Sequence, residues 1–396
     1  MNIRIPISAI PAALWILGWA SLLNGIASEM ILTVLPLFMV STIGASMATI
    51  GLMEGTAQLC GLILKIFSGF TSDALGNHKT MIILGYIFSS TSKLIFPTAT
   101  SSGAISAARC INLIGKDIRE APREALLSSV APKDLRNSYF GTQELFDTAG
   151  IIIGPILAML CMLWITNMRI VLWIAALFSL TALALLIIGL PRLQTPASTL
   201  NKQPSMTTYK ELSARYWLFL LPITLLYGAH CSQAFIIVQA YDVGIPIGYI
   251  SGLIILSNIF YVLAVYYTST LPATVNKKNI ISIGMLLLIG AYTCIAYAQH
   301  WLIMIGGIIL RGLYYGLTRS VLATIIAEST PMHLQGTAYS IFHTVTSCAT
   351  LCTNIAIGLA WNRYSSTITF IAIAVVTATA LCTWIIIEPP ARQAPL

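Results

Sequence analysis

The stretch IVLWIAALFSLTALALLIIG, residues 170–189, runs for twenty residues without a charged side chain. An α-helix needs about twenty apolar residues to cross the hydrocarbon core of a bilayer. Runs of the same kind continue on both sides of this stretch. The whole chain is 57% hydrophobic, with 9% charged residues and a mean hydropathy of +0.85. The sequence therefore predicts a membrane protein with several spans rather than a soluble globule.

Twelve such runs are predicted along the 396 residues. They lie at about 12–40, 46–70, 80–99, 102–122, 137–164, 169–190, 215–240, 247–270, 279–299, 301–328, 335–360 and 365–387. Leu, Ile, Ala, Gly and Met fill these runs without apolar–polar alternation, so an all-α fold is predicted rather than a β-barrel. The first run is too long to be the core of a cleaved signal peptide.

A polar segment rich in Pro, Ser and Thr separates the first six spans from the last six. It predicts a cytoplasmic linker at 191–214 between a six-helix half at 1–190 and a second half at 215–396. Pro132, which follows span four, recurs as Pro331 after span ten. Two parallel repeats that hold a solute between them would leave such a trace. Chance matching of short motifs would also leave it.

Lysines and arginines in the connecting segments indicate the orientation. If the N-terminus is cytoplasmic, nearly all of these residues lie on the cytoplasmic side, and only Arg169 and Arg363 lie outside. Both termini are therefore predicted inside, and the net charge of +8 is explained without a nucleic acid partner. The eight cysteines all fall within predicted spans, which indicates free thiols and predicts neither a metal site nor a cofactor.

The segment between spans two and three carries a glycine motif. Residues 69–81 read GFTSDALGNHKTM, with Gly69, Asp73, Gly76 and Lys79 at the motif positions. This arrangement resembles a loop motif of the major facilitator superfamily, although two positions where arginines are common hold other residues. The resemblance implies that Asp73 is part of a cytoplasmic gate, and an ordinary solvated loop aspartate is the alternative.

The end of span four carries a dense charged cluster, GKDIREAPREALL, at residues 115–127. Its position suits the cytoplasmic membrane surface, where basic residues cost little. Arg119 or Arg123 is predicted to bind Asp73 and so to close the cytoplasmic side as a latch. A helix end whose charges are only solvated would show the same pattern.

Span five carries a third motif, GTQELFDTAGIIIGPILA, at residues 141–158. Gly141, Gly150, Gly154 and Pro155 reproduce the spacing of the motif associated with antiporters in the same superfamily. Small residues one turn apart permit close approach of helices. The functional interpretation is that tight packing by these glycines prevents leakage through the transporter. The alternative is that the glycines serve helix packing alone.

Further segments extend the resemblance in chain order: SEMILTVLPLF at 28–38, GLMEGTAQ at 51–58 and LKIFSGFTSD at 64–73. Together with the motifs above, they look like a bacterial subgroup of poorly characterised transporters. The resemblance is strong over about residues 20–160 and implies twelve helices in two halves, alternating access and a monomer in the bacterial inner membrane. Its partners would be the lipid bilayer, a small solute and protons. One fold serves many substrates, so the solute stays open.

Several ionisable residues lie inside the predicted spans, where a charge at the bilayer centre costs about 2.5–3.5 kcal/mol. They are expected to face the protein interior. The outer half holds Glu29, Glu54, Lys93 and Arg109, and the inner half holds Lys65, Glu144 and Asp147. Glu29 and Glu54 are predicted proton carriers beside the bases Arg109 and Lys93, and Asp147 is a further candidate. Static salt bridges are the alternative.

Polar side chains in the second half predict a substrate cavity. The candidates are Tyr227, His230, Gln233, Asn258, Tyr314, His343 and Asn354. The predicted function is proton-coupled transport of a small organic solute, with antiport and efflux favoured by the span-five motif. Proton-driven uptake of a metabolite or siderophore is the alternative, and a channel or non-transporting receptor is a different class. An enzyme is not predicted, because HExxH and GxxxxGK[ST] motifs and a nucleophile with a matching base are absent from the sequence.

Overall fold

The computed structural model describes residues 12–75, 78–130, 136–165, 167–190, 214–272, 275–330 and 335–387. Within these ranges the regular structure is α-helical and no strand occurs. The helices are α1 (Ala12–Ser41), α2 (Met47–Leu75), α3 (His78–Thr98), α4 (Ser102–Val130), α5 (Arg136–Trp164), α6 (Met168–Gly189), α7 (Ala214–Tyr227), α8 (Gln233–Asp242), α9 (Ile247–Thr270), α10 (Lys277–Ala296), α11 (Trp301–Ser329), α12 (Gln335–Arg363) and α13 (Ser366–Ile386). The all-α fold is confirmed.

Length and composition show which helices suit a membrane. Over the described residues, nine are long and apolar enough to cross one, namely α1, α3, α5, α6 and α9 to α13. The starts of several are fixed by side-chain caps. Asn167 accepts a hydrogen bond from the Arg169 N–H, and Asn276 accepts one from the Lys278 N–H. Such caps satisfy N–H groups that have no partner within the helix.

Span seven differs from its prediction as one helix. It consists of α7 and α8, and residues 228–232 between them are not helical. Side chains of neighbouring helices satisfy the backbone there. The Tyr292 hydroxyl donates to the Ala229 carbonyl at 2.9 Å and accepts from the Cys231 N–H at 3.2 Å. The Thr353 hydroxyl donates to the Gly228 carbonyl at 2.6 Å. Non-helical backbone is tolerated at membrane depth where protein groups replace the missing helix bonds.

The chain divides into two compact units, Met1–Phe38 with Cys60–Leu200 and Met39–Leu59 with Asn201–Leu396. Helix α2 is continuous, but its first part as far as Leu59 belongs to the second unit. The predicted linker lies outside the described residues apart from Ala214.

The first unit is organised around α3, which packs against α4 and α6. The crossing of α3 and α4 is close because both helices carry a glycine at the contact. A Cβ atom on Gly85 would lie 2.6 Å from the Gly115 carbonyl oxygen, and one on Gly115 would lie 2.5 Å from the Gly85 carbonyl oxygen. Small residues permit such backbone contact between membrane helices.

The second unit repeats this arrangement, with α10 packed against α11 and α13. Helix α11 also packs against α9, where a Cβ atom on Gly312 would lie 2.5 Å from the Ser257 carbonyl oxygen. In both units, the third span of six therefore contacts the fourth and sixth. This repetition agrees with two similar six-helix halves.

Candidate functional site

The second unit encloses a cavity of about 370 Å³ whose fourteen lining residues all carry polar or titratable side chains. They are Glu54, Gln58, Tyr227, His230, Cys231, Ser232, Gln233, Arg311, Tyr315, His343, Thr346, Ser347, Thr350 and Asn354. Such a lining offers mainly hydrogen bonds and charge, and the rings of Tyr227 and Tyr315 add apolar contact. It therefore suits a polar solute.

The break in span seven brings the N-terminus of α8 to the cavity wall. Ser232 caps α8, because its side-chain oxygen accepts from the Ala234 N–H at 3.3 Å. The same hydroxyl donates to Glu54 Oε2 at 3.1 Å, and the Ser232 N–H donates to Asn354 Oδ1 at 3.1 Å. One residue of the break thus joins α2 and α12 at the cavity.

Glycines on α2 allow this helix to pack closely against α12. Added Cβ atoms on Gly51 and Gly55 would contact the α12 backbone at Asn354 and the Leu351 side chain, respectively. Reciprocally, a Cβ atom on Gly358 would lie 2.5 Å from the Met47 carbonyl oxygen. The close approach places the Glu54 carboxylate, whose residue is 8% exposed, beside the α8 cap.

An aromatic cluster holds His230 in the non-helical segment. Its Nε2 is hydrogen-bonded to the Tyr314 hydroxyl, and its ring lies 4.5 Å from that of Tyr227 and 5.4 Å from that of Tyr315. Tyr314 itself is only 1% exposed. It therefore orients His230 from behind the cavity wall.

Arg311 on α11 lines the cavity but is not among the site residues predicted from the sequence. It is 9% exposed, and its guanidinium carbon lies 4.9 Å from the centroid of the Tyr315 ring. The stacked ring holds the guanidinium against one wall of the cavity. Arg311 and Tyr315 are four residues apart and so lie on one face of a helix. This spacing is the feature of the sequence that could have indicated their contact.

The predicted cavity residues are largely brought together. Tyr227, His230, Gln233, His343 and Asn354 line the cavity, whereas Tyr314 lies behind it and Asn258 on α9 is not among its lining residues. Thr346, Ser347 and Thr350 were missed. Together with His343 and Asn354, they form a polar stripe on one face of α12. Their spacing of three or four residues is visible in the sequence and could have indicated this stripe.

The partners of the predicted proton-coupling residues differ from those expected. Lys93 is 0% exposed, and its Nζ donates to Asn24 Oδ1 at 2.5 Å and to the Asn24 carbonyl at 3.2 Å. A neutral amide thus takes the place of the predicted carboxylate. Glu54 binds Ser232 within the second unit. Glu29, in the first unit, has Arg109 and Lys116 as charged neighbours.

Asp147 forms an ion pair that the sequence argument did not predict. Its Oδ2 lies 3.2 Å from an Arg123 guanidinium nitrogen, which also donates to the Ser21 hydroxyl at 2.8 Å. The Ser21 hydroxyl and the Gln143 amide both donate to Asp147 Oδ1. This pair joins α1, α4 and α5.

The predicted latch is only partly described. Gly69 and Asp73 belong to α2 rather than to a loop, because that helix continues to Leu75. The Asp73 side chain and the whole of Gly76 lie outside the described residues. Lys79 donates to the Leu190 carbonyl.

The two arginines predicted to complete the latch have other described partners. Arg119 lies with its guanidinium carbon 4.4 Å from the centroid of the Tyr86 ring, and Arg123 binds Asp147 as given above. A latch on either residue stays a prediction.

The span-five motif packs α5 against α1 inside the first unit. A Cβ atom on Gly150 would lie 3.1 Å from the Leu22 carbonyl oxygen, and one on Gly154 would lie 3.0 Å from the Ile26 carbonyl oxygen. Among the described residues, no atom outside the adjacent turns of α5 itself would lie within 4 Å of a Cβ atom on Gly141. Pro155 lies within α5, directly after the second packed glycine.

The family model of the Major Facilitator Superfamily matches residues 17–269 and 220–396. An uncharacterised MFS-type transporter of Methanocaldococcus jannaschii is 28% identical over 373 residues, covering 90% of each chain. The MFS-type transporter YqjV of Bacillus subtilis is 24% identical over 147 residues, covering 37% of this chain and 35% of that protein.

Solved transporters share the fold. The nucleoside transporter NupG has a TM-score of 0.80 at 14% identity, covering 95% of this chain and 98% of its own. A bacterial homologue of the human lysosomal transporter Spinster has a TM-score of 0.74 at 13% identity, covering 97% of this chain and 98% of its own. The chain belongs to the major facilitator superfamily of membrane transporters.

Proposed function

We propose that this protein is a proton-coupled secondary transporter that moves a small polar solute across the bacterial inner membrane by alternating access. The observation that carries the proposal is the cavity of about 370 Å³ with its wholly polar and titratable lining. Ligand pockets usually measure about 300–1,000 Å³, so this cavity suits a small molecule. A lipophilic solute would leave most of these polar groups without hydrogen-bond partners.

Glu54 is the proposed proton carrier. It lies in the cavity and binds the Ser232 cap of α8, so a change in its protonation alters the site where the solute would bind. Asp147 is a weaker candidate, because it already forms an ion pair with Arg123 and does not line the cavity. Glu29, which has basic neighbours in the first unit, is the second carboxylate to test.

Antiport with efflux is the favoured direction. Its support is the packing of Gly150 and Gly154 against α1, which corresponds to the motif associated with antiporters. Proton-driven uptake of a metabolite is the alternative, and the small cavity argues against a siderophore. Family membership favours a carrier over a channel or receptor.

The arrangement in the membrane is part of the proposal. A cytoplasmic linker at 191–214 would join the halves at 1–190 and 215–396, and both termini would be cytoplasmic. The protein would act as a monomer. The basic connecting segments support this orientation.

The test uses proteoliposomes that contain the purified protein and an internal pH-sensitive dye. Gradients of polar solutes are imposed one at a time, and wild type is compared with Glu54→Gln, Glu29→Gln and Glu144→Gln. Glu144 is an exposed carboxylate of α5 and serves as the matched control. We expect solute-dependent proton flux in wild type and Glu144→Gln, and its loss in Glu54→Gln.

Two results would contradict the proposal. Solute flux without proton movement, unchanged in Glu54→Gln, would indicate a uniporter or another coupling ion. Loss of proton flux in Glu29→Gln alone would transfer the carrier role to the first unit. The sign of the proton movement gives the direction of coupling.

A further inference from the structure

The cavity contains a buried positive charge, that of Arg311 on α11. In the part of the chain that the structure describes, no carboxylate lies within ion-pair distance of Arg311. Its electrostatic neighbours there are the phenols of Tyr315 and Tyr292 and the thiol of Cys231. Its Nε also lacks a hydrogen-bond partner among the described atoms. Arg311 therefore has hydrogen-bonding capacity left over at the cavity wall.

Burial makes this arrangement costly without a partner. Arg311 is nine-tenths buried in a membrane helix, and a guanidinium keeps its charge in proteins. Buried charges are normally paired, because an unpaired charge away from water is strongly unfavourable. The missing partner is therefore expected from the molecule that enters the cavity.

The N-terminus of α8 adds to the positive potential. Cys231, Ser232 and Gln233 bring this end of a ten-residue helix to the same cavity. The Ser232 and Ala234 N–H groups already have acceptors in the protein, so it is the helix dipole that favours an anion at this end. Glu54 opposes this potential when it is charged, and its protonation would leave Arg311 as the charged carboxylate-binding group.

We propose that the transported solute is an organic anion whose carboxylate binds Arg311 near the N-terminus of α8. This inference rests on the proposed transport function and names the class of substrate. The planar fork of a guanidinium matches a carboxylate with two parallel hydrogen bonds. A phosphate monoester is less suitable, because it carries about −1.5 to −2 charges against a single guanidinium.

The first experiment measures ligand-induced stabilisation of the purified full-length protein in detergent. The probes are acids paired with their primary amides, namely lactate with lactamide, benzoate with benzamide and nicotinate with nicotinamide; glycerol 3-phosphate represents phosphates. Ligands that bind the folded state raise the melting temperature. We expect at least one acid to raise it while its amide does not.

Variants assign the effect to the guanidinium. Arg311→Gln should weaken the apparent affinity for that acid by about tenfold or more, as for loss of a charged hydrogen bond. Arg311→Lys keeps the positive charge but lacks the planar guanidinium, so it should retain part of the affinity for the acid. It replaces Arg311→Gln in the test if that variant does not fold. Arg363→Gln, at an exposed arginine of the same unit, is the matched control and should bind like wild type.

Several outcomes would overturn the carboxylate site. They are equal stabilisation by acids and amides, stabilisation by glycerol 3-phosphate alone, no stabilisation by any probe, and unchanged preference for the acid in Arg311→Gln. Counterflow in proteoliposomes separates this inference from the transport function. Binding of the acid without counterflow would contradict transport alone, whereas equal counterflow of acid and amide would contradict the anion site alone.

Discussion

At the scale of the residue, the charged side chains of the two units have different kinds of partners. Asp147 and Arg123 neutralise each other, and Lys93 is held by the oxygen atoms of Asn24. Arg311 instead faces a cavity with aromatic and thiol neighbours. We expect the Arg123–Asp147 pair and the Lys93 contacts to serve packing, and we propose that Arg311 serves recognition of the solute.

The Arg123–Asp147 pair gives a stability prediction. Asp147→Asn leaves the half-buried guanidinium without its countercharge, and Arg123→Gln does the same to the carboxylate. We expect each single variant to lower the melting temperature of the detergent-solubilised protein. The double variant should lose less than the sum, with a coupling energy of about 1–3 kcal/mol in a double-mutant cycle of unfolding free energies.

Additive losses in that cycle would show that the pair contributes no interaction of its own. The same variants also bear on function. If Asp147 only joins helices, Asp147→Asn retains solute-dependent proton flux, whereas a carrier role would abolish it.

At the scale of the element, glycines and a helix break decide which backbones meet. Gly150 and Gly154 let α5 approach α1, and Gly51 lets α2 approach α12. The break at 228–232 depends on the Tyr292 hydroxyl, which bonds backbone groups on both sides of His230. The α2–α12 contact and the break bring the Glu54 carboxylate and the His230 imidazole to one cavity, which Arg311 of α11 also lines.

The span-five stripe gives a prediction with an internal control. Gly150→Ala would place a methyl group 3.1 Å from the Leu22 carbonyl oxygen and 3.2 Å from the Gly25 Cα atom. Overpacking of this kind costs about 1–3 kcal/mol, so the melting temperature should fall. Gly141→Ala meets no described atom outside the adjacent turns of its own helix and should not lower the melting temperature.

Thermal unfolding of both variants in the same detergent measures the difference. Equal melting temperatures for Gly150→Ala and Gly141→Ala would mean that close α1–α5 contact does not limit stability. Proton leak in liposomes without solute then tests the functional part. We expect it to rise only in Gly150→Ala.

At the scale of the whole molecule, the same pattern of packing occurs twice. Helix α3 packs against α4 and α6, and α10 packs against α11 and α13. The first part of α2 nevertheless belongs to the second compact unit. The candidate cavity is therefore built from both ends of the sequence, because Glu54 and Gln58 join residues of α7 to α12.

The orientation of the protein in the membrane is a prediction about the whole molecule. Basic residues in the connecting segments predict that 191–214 is cytoplasmic and that the segment at Asn167 is outside. Alkaline phosphatase inserted after Asn167 should be active in a bacterial host, since it folds outside the cytoplasm, and inactive within 191–214. The reverse pattern would invert the membrane orientation.

The sequence by itself determined the all-α membrane fold, because long uncharged runs such as residues 170–189 have few other stable structures in lipid. It also selected five of the fourteen residues that line the cavity of the second unit. His230 and Asn354 could be selected because polar residues inside spans face protein rather than lipid.

Only the tertiary structure decided which groups meet. Sequence order grouped Glu54 with the first-half bases, but glycine contacts on α2 place it beside Ser232 and Asn354. The break in span seven was not predicted, because it depends on a hydroxyl of Tyr292 sixty-one residues from Cys231. Hydropathy reports the local preference for lipid, whereas hydrogen-bond partners and ion pairs depend on distances between helices that are far apart in the chain.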